Sequence, residues 1–217
     1  MVPVIEPDAG ALARRVGGAA AARLFTLHVG PGVQFRLGVG VSGLLADADD
    51  NVRGVALTDD STIDAAAVLV AIDCAPDVEW LTGSAIDISD GVQCDEYCRA
   101  GPGIWAAGDV ARWHHAGIGR RIRVEHRINA SEQGAAVAAN IVGPLRPYLS
   151  TPLFWTDRFD VKLQFVGAMP RDAEEAIEHL ADDSWPHTFR EQGRLAAALG
   201  WNAAKAMMPV RRELAAR

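Results

Sequence analysis

Residues 103–113 read GIWAAGDVARW, an apolar run that ends in a glycine and an aspartate. The run from Ile104 to Ala107 predicts a strand, with Gly108 and Asp109 directly at its end. A carboxylate offers only hydrogen-bond acceptors, so it suits the vicinal hydroxyls of a ligand's sugar. Because glycine lets the backbone come close to a ligand, the stretch indicates a sugar-binding site at Asp109. For the motif alone, an aspartate that caps the next turn is an equal alternative.

The segment before this stretch predicts an α/β nucleotide-binding domain. Its expected elements run strand, helix, strand, hairpin, strand. They are a buried strand at Val2–Ile5, a helix at Ala11–His28 capped by Asp8, a strand at Val33–Leu37, a hairpin of Val41–Ala46 with Val52–Leu57, and a strand at Ala65–Ile72 buried on both faces. Since the first strand begins beside Met1 and lacks sheet neighbours, we expect exposed apolar surface there.

The segment after the stretch predicts one helix, a linker and a small module. Residues 112–127 are polar and basic. A helix is expected from Asn129 to Ile141, with Asn129 as its cap and Glu132 completing a capping box. Three prolines (Pro144, Pro147 and Pro152) form a linker that indicates a domain boundary. Beyond it, an α+β module is predicted from strands at Phe159–Val166, His187–Arg190 and Leu195–Trp201 and a helix at Ala203–Ala216.

Composition excludes several classes of protein. The 217 residues carry 21 Lys and Arg against 28 Asp and Glu, a net charge of −7 with a pI near 5.3. Nucleic-acid binders and anionic-membrane binders usually have a basic surplus, so neither partner is expected. No uncharged apolar run approaches the roughly 18 residues that span a bilayer, and the amino terminus does not resemble a signal peptide. Three cysteines without CxxC spacing fit a reducing, cytoplasmic setting.

Two other motifs carry no predicted chemistry. Cys94 and Cys98 have neither redox nor zinc spacing, and we expect inert thiols. Gly38, Gly40 and Gly43 match GxGxxG, but a hairpin rather than a helix follows them, so they are expected to be turn and bulge glycines. Neither a Ser-His-Asp set nor a convincing metal site is apparent, so no catalytic or metal-ligating residue is predicted.

Three strings in one order carry a resemblance to a known family. They are GIWAAGDVARW at 103–113, GRRIRVEHRINASEQG at 119–134 and PLFWTDRFDVKLQFVG at 152–167. Together they resemble the flavin-dependent ferredoxin and rubredoxin reductases of the pyridine nucleotide-disulfide oxidoreductase superfamily, which feed dioxygenase and cytochrome P450 systems. The resemblance covers nearly the whole chain. It implies an α/β fold with a partial Rossmann-like NAD domain at 1–80, a returning FAD-binding segment at 81–147 and a small α+β C-terminal interface domain at 148–217.

The resemblance also implies where FAD and NAD(H) would bind. The carboxylate of Asp109 would accept hydrogen bonds from the ribityl chain of FAD, and a helix N-terminus would point at the pyrimidine end of the flavin ring. The implied flavin-binding residues are Gly108, Asp109, Val110, His126, Arg127, Asn129 and Ala130. The family commonly has Trp at Arg127 and an acidic or polar residue at Ile128, so the usual aromatic cover of the nicotinamide–flavin stack is missing.

Three acidic positions bear on the dinucleotide. Glu6 ends the first strand, where an acid would accept a hydrogen bond from the adenosine ribose and favour NAD over NADP. An exposed strand-end carboxylate is the alternative reading. The phosphate loop of the family would precede this strand. Asp73 replaces a usual Gly and Asp77 a usual Asn, and the side chain and charge of Asp73 would oppose the dinucleotide.

Two further groups remain open. The first is a local basic patch, which either docks an acidic ferredoxin-type iron–sulfur protein or is a solvated loop with structural ion pairs. Its members are His114, His115, Arg120, Arg121, Arg123 and Arg127. Trp155, Trp185 and Trp201 are expected in the core or at a domain interface.

Two functional hypotheses follow. The first is an FAD-dependent NAD(P)H oxidoreductase that passes electrons to an iron–sulfur partner, of which this chain is the carboxy-terminal portion. The second is a docking or regulatory remnant without turnover, or an incomplete gene product, which would dimerise or need a separate amino-terminal half. In either case Met1 could be an internal start in a longer reading frame.

Overall fold

The computed structural model describes residues 1–180 and 183–216. The chain divides into two compact units, Met1–Asp73 and Cys74–Arg217, which are described separately. Among the helices within these residues, none is both long and apolar enough to cross a lipid bilayer.

The first unit contains a parallel strand pair and a small antiparallel sheet. Its elements are β1 (Val2–Glu6), α1 (Ala11–Val16), α2 (Gly18–Val29), β2 (Val33–Leu37), β3 (Val41–Ala46), β4 (Val52–Leu57) and β5 (Thr62–Asp64). Strands β1 and β2 pair in parallel across the helical crossover, and the second sheet has the order β3-β4-β5. The predicted strands β1 and β2 and the predicted hairpin are confirmed.

The single helix predicted over Ala11–His28 is wrong. It breaks at Gly17, whose φ of 85° is a conformation that glycine adopts at little cost. The position before α1 is Gly10, and no side chain caps it. Asp8 lies earlier, where its carboxylate accepts the Gly10 N–H at 3.0 Å and forms an ion pair with Arg14.

The strand predicted at Ala65–Ile72 is also absent from the structure. Strand β5 ends at Asp64, and the following apolar residues Leu69 and Ile72 are 93% and 84% exposed. A strand buried on both faces needs neighbouring strands. The N–H of Ala65 donates to the Arg53 carbonyl of β4 at 2.9 Å, but no strand of this unit pairs with the rest of the segment. Strand β1 is likewise not buried, since Val2 is 60% exposed, so the apolar surface expected at the first strand is present.

Within its described residues, the second unit contains three sheets, two α-helices and a short 3-10 helix at Glu79–Leu81. Its elements are β6 (Val92–Cys94), β7 (Arg99–Gly101), β8 (Ile104–Trp105), β9 (Ala111–His115), β10 (Arg120–Ile122), α3 (Arg127–Val142), β11 (Leu153–Arg158), β12 (Val161–Gly167), β13 (Glu174–Ile177), β14 (Trp185–Glu191), β15 (Arg194–Trp201) and α4 (Ala204–Ala215). One sheet has the order β10-β9-β6, β7 pairs with β8, and a five-stranded antiparallel sheet has the order β11-β12-β15-β14-β13. Strands β9 and β10 lie in the segment whose composition is polar and basic.

Strand β9 and the segment 143–152 form one core. The Trp113 ring of β9 is fully buried, and its Nε1 donates to the Tyr148 carbonyl at 3.1 Å. The Tyr148 hydroxyl in turn donates to Asn129 Oδ1 of α3 at 3.1 Å. The proline-containing segment is therefore fixed against β9 and α3 by buried contacts.

The five-stranded sheet differs from its prediction at one end. The strand expected over Phe159–Val166 is two strands, β11 and β12, with Phe159 at a φ of 56° in the turn between them. Strands β14 and β15 and helix α4 are confirmed. Trp185 and Trp201 are buried, and their stacked rings have centroids 5.2 Å apart, whereas Trp155 is 56% exposed and is not a core residue.

Candidate functional site

The predicted Gly-Asp turn lies against the first two turns of helix α3. Gly108 is buried with a φ of 79°, and its N–H donates to Gln133 Oε1 at 2.9 Å. A Cβ placed on Gly108 would lie 3.5 Å from the Ala130 Cβ, so the turn and the helix are in van der Waals range. The strand predicted before the turn is shortened to β8. The residues Gly108–Val110 lie in the loop that connects β8 to β9. The turn and the helix start are therefore close in space, as predicted.

Backbone contacts hold Asp109 in place and leave its carboxylate accessible. Its carbonyl accepts from Arg123 Nη1 at 3.3 Å, and Arg123 also pairs with Asp90 at 3.3 Å and with Glu125. The carbonyl of the next residue, Val110, accepts the Val92 N–H at 2.7 Å. The Asp109 side chain is exposed, and none of the residues described donates a hydrogen bond to it. A carboxylate on a fixed backbone can accept hydrogen bonds from ligand hydroxyls without first losing a protein partner.

Helix α3 begins at Arg127, two residues earlier than predicted, and His126 is in the N-cap position. No side chain caps it, and its first turn contains no acidic residue. The capping box is wrong: Asn129 is buried, and its Nδ2 donates to the Val124 carbonyl at 3.1 Å. Glu132 instead accepts from Ser150 Oγ at 2.7 Å.

An uncapped helix start has unsatisfied N–H groups and a partial positive charge. The first N–H groups of a helix have no partner within the helix, and the summed peptide dipoles add about half a positive charge there. Because neither Asn129 nor Glu132 neutralises this end, the N–H groups near Arg127 can bind an acceptor atom of a ligand.

The imidazole of His126 is a further polar group at the same place. Its Nδ1 is buried and has no hydrogen-bond partner among the described residues, and its ring centroid is 5.6 Å from that of Phe154 in β11. Burial lowers the pKa of His126, although the nearby charges of Asp109 and Glu125 act in the opposite direction. A buried nitrogen without a partner is costly, so a ligand group that bonds to it would be favoured.

Two of the predicted dinucleotide residues, Glu6 and Asp73, lie in the first unit. Glu6 is the last residue of β1, and its Oε1 accepts the Asp8 N–H at 2.8 Å, which leaves the other carboxylate oxygen for a ligand. Its role toward a ribose stays a prediction. Asp73 has a φ of 72°, a conformation that glycine adopts freely, and it pairs with Arg15 at 3.6 Å.

The GxGxxG match is not a phosphate loop. Gly38 has a φ of 79° in a turn, and Gly43 lies where the pairing of β3 with β4 shifts register. Strand β3 follows at Val41–Ala46, so the glycines lead into a strand and not into a helix N-terminus. The expectation of turn and bulge glycines is confirmed.

The predicted basic patch divides into two kinds of residue. His115 is buried, with its Nε2 at 3.1 Å from the Ser150 carbonyl, and Arg123 is engaged in ion pairs. Arg120, Arg121 and Arg127 are exposed. The structural reading of the patch therefore applies to His115 and Arg123, and docking by the exposed arginines stays a prediction.

The two close cysteines are buried thiols. Burial raises the pKa of Cys94 to about 12 and that of Cys98 to about 11. Both groups stay protonated near neutral pH, which agrees with the expectation of inert thiols.

Sequence reasoning missed Gln133 and the structural role of Arg123. A signal for Gln133 was available, because residues three and four apart share a helix face. Gln133 is three residues after Ala130 and four after Asn129, both of which were predicted site residues.

Comparisons with known proteins support this description. Residues 1–134 match the family model described as pyridine nucleotide-disulphide oxidoreductase, and residues 153–217 match the model described as reductase C-terminal. The ferredoxin reductase subunit of 5,5'-dehydrodivanillate O-demethylase from Sphingobium sp. is 34% identical over 199 residues, which cover 90% of this chain and 48% of that protein.

Two solved structures share the fold. The ferredoxin reductase for the CYP199A2 system from Rhodopseudomonas palustris has a TM-score of 0.87 at 30% identity, covering 94% of this chain and 51% of that one. Putidaredoxin reductase in its covalent complex with putidaredoxin has a TM-score of 0.91 at 25% identity, covering 100% and 52%. The chain spans about half the length of the relatives it matches. The chain belongs to the pyridine nucleotide-disulphide oxidoreductase family.

Proposed function

We propose that this chain supplies the ribityl-binding and ring-binding part of the FAD site of an NAD(P)H-dependent ferredoxin reductase. The observation that carries the proposal is the contact between the Gly108–Asp109 turn and the uncapped start of α3. A flavin held there would supply the redox chemistry of such an enzyme, two-electron exchange with a nicotinamide and one-electron exchange with an iron–sulfur partner.

The residues at the turn and the helix start fit different parts of a flavin. Asp109 has an accessible acceptor for the ribityl hydroxyls, and the N–H groups near Arg127 suit the N1 and O2 acceptors of the ring. The unpartnered Nδ1 of His126 could bind a further polar atom of the ligand. Gly108, Val110, Asn129 and Ala130 would serve mainly through their backbone and packing. These groups bind and orient the cofactor, and none of them has to act as a general acid or nucleophile.

The remaining parts of the proposal concern the dinucleotide, the partner and the setting. Glu6 would accept a hydrogen bond from the adenosine ribose of NAD(H), and the exposed Arg120, Arg121 and Arg127 would dock an acidic ferredoxin-type protein. We propose partial NAD-binding, returning FAD-binding and interface domains at 1–80, 81–147 and 148–217. The enzyme would operate in the reducing cytoplasm.

A second candidate function is a docking module that does not turn over. It is favoured by Asp73, whose charged side chain occupies a positive-φ position where the family usually has glycine. The exposed run at Ala65–Ile72 also suits a segment that pairs with a second copy or a separate amino-terminal half.

A titration of the purified chain with FAD tests the first proposal. Saturable binding with a shifted flavin absorption band is expected, and no spectral change at a large excess of FAD would contradict it. Addition of NADH then separates the two candidates. A catalyst bleaches the bound flavin, whereas a docking module retains an acidic ferredoxin at low salt without bleaching.

A further inference from the structure

Gln133 is a buried amide whose two ends are both hydrogen-bonded. Its side chain is fully buried, its Oε1 accepts the Gly108 N–H at 2.9 Å, and its Nε2 donates to Cys98 Sγ at 3.3 Å. The orientation of the amide is fixed, because a flipped side chain would place an NH₂ group against the Gly108 N–H. Gln133 therefore presents its acceptor only to the turn.

The turn needs such an acceptor. Gly108 lies in the left-handed region outside any strand, so no sheet partner satisfies its N–H. A buried N–H without a partner would cost the full desolvation of the group, and the turn could then move away from α3. Among the residues described, the acceptor for this N–H is Gln133, which lies 25 residues later in the chain.

We propose that Gln133 is a positioning residue that fixes the Gly108–Asp109 turn at the height on α3 where the Asp109 carboxylate meets a flavin's ribityl hydroxyls. It acts through the Gly108 N–H and does not touch the ligand. The inference rests on the proposed flavin role of Asp109, but the anchoring of the turn is a property of the protein without flavin.

The alternative is that Gln133 only fills the core, and a matched residue on the same helix separates the two. Asn140 is also buried and also bonded at both ends, since its Nδ2 donates to the Arg146 carbonyl at 3.0 Å and its Oδ1 accepts the Arg146 N–H at 2.8 Å. It lies about two turns further along α3 and does not contact the turn. Replacement of either amide by methionine removes both its acceptor and its donor; methionine matches glutamine in length and is longer than asparagine, so any cost of size falls on the control.

The experiment compares the unaltered 217-residue chain with Gln133→Met and Asn140→Met. The first measurement is the exchange rate of the Gly108 amide hydrogen by NMR, without flavin. The second is the dissociation constant for FAD. We expect Gln133→Met to speed Gly108 exchange and weaken FAD binding on the order of tenfold, while Asn140→Met changes neither even though it lowers the melting temperature.

Unchanged Gly108 exchange in Gln133→Met would overturn the inference, as would an equal loss of FAD affinity in both variants. If Gln133→Met unfolds, Gln133→Glu replaces it: the Gly108 N–H keeps its acceptor, so protected exchange is expected and rapid exchange would contradict the anchoring. Should the unaltered chain bind no FAD, the proposed function fails, while the exchange measurement still decides whether Gln133 holds the turn.

Discussion

Replacement of Asp109 by alanine tests whether its carboxylate binds the flavin. The side chain is exposed, and the hydrogen bond that holds this residue is donated by Arg123 to its backbone carbonyl. Asp109→Ala should therefore leave the free energy of unfolding within about 0.5 kcal/mol of the unaltered chain. The effect on binding is expected to be separate from any effect on folding.

The magnitude follows from the hydrogen bonds that the carboxylate can accept. Hydrogen bonds to a charged group contribute about 1.5 to 3 kcal/mol, and the lower end applies because Asp109 is exposed to water. A loss of about 1.5 kcal/mol corresponds to roughly a tenfold increase in the dissociation constant. The same change removes a negative charge near His126, so the pKa of His126 should fall further below its ordinary value.

The assay compares two flavins that differ in the ribityl chain. Riboflavin has it and lumiflavin lacks it, so Asp109→Ala should weaken riboflavin binding about tenfold and leave lumiflavin binding unchanged. Binding is followed by the quenching of flavin fluorescence, and the pKa of His126 by NMR. Asp160→Ala, which removes an exposed turn carboxylate in the β11–β12 hairpin, is the matched control and should affect neither flavin. Equal losses for both flavins, or no loss for riboflavin, would show that the Asp109 carboxylate does not bind the ribityl chain.

Three further predictions concern stability, pH and the dinucleotide. Gly167→Ala should lower the free energy of unfolding in urea by about 2 kcal/mol or more, because the new Cβ would lie 2.8 Å from Ala197 Cα at a φ of 92°. Burial lowers the pKa of His115, whose neutral Nδ1 accepts the Ile118 N–H at 3.2 Å. The unfolded chain therefore binds this proton first, and stability should be full above about pH 6.5 and decline as the pH falls further. Asp73→Gly should raise the affinity for NADH about fivefold, the equivalent of about 1 kcal/mol, by removing a charge that opposes the phosphates.

Each of these has its own control. Gly193→Ala is the control for Gly167→Ala, because Gly193 also has a positive φ but no atom lies within 4 Å of the new Cβ. An equal loss of unfolding free energy in the two variants would contradict the steric argument. His115→Gln, which stays neutral, should flatten part of the acid decline, and an unchanged decline would exclude His115 as a cause. Asp60→Gly changes another aspartate of positive φ in the first unit, and a matching gain in NADH affinity would show that the charge at Asp73 is not responsible.

Short-range patterns predicted the parts of the fold that neighbouring residues determine. The hairpin of β3 and β4 follows from alternation around the turn at Asp49–Asn51, and the pair β14 and β15 follows in the same way. The juxtaposition of Asp109 with the segment after His126 came from the resemblance, and the contact between Gly108 and Ala130 supports it.

Features that depend on distant partners could not be predicted. The run Ala65–Ile72 has the composition of a buried strand, but a strand forms only where another strand can pair with it. Asn129 and Glu132 match a capping box in sequence. In the structure, however, their side chains accept hydrogen bonds from Tyr148 and Ser150, respectively, in the segment after α3. The capping pattern failed because tertiary contacts competed with the local ones, and the helix start was left uncapped.

The most direct test of the account is the mapping of riboflavin binding on the isotope-labelled chain by NMR. If the turn and the start of α3 hold a flavin, the amide signals of Gly108, Asp109 and Arg127–Asn129 should shift together and saturate at one concentration. Shifts confined to other parts of the chain, with these signals unchanged at saturation, would contradict the central claim.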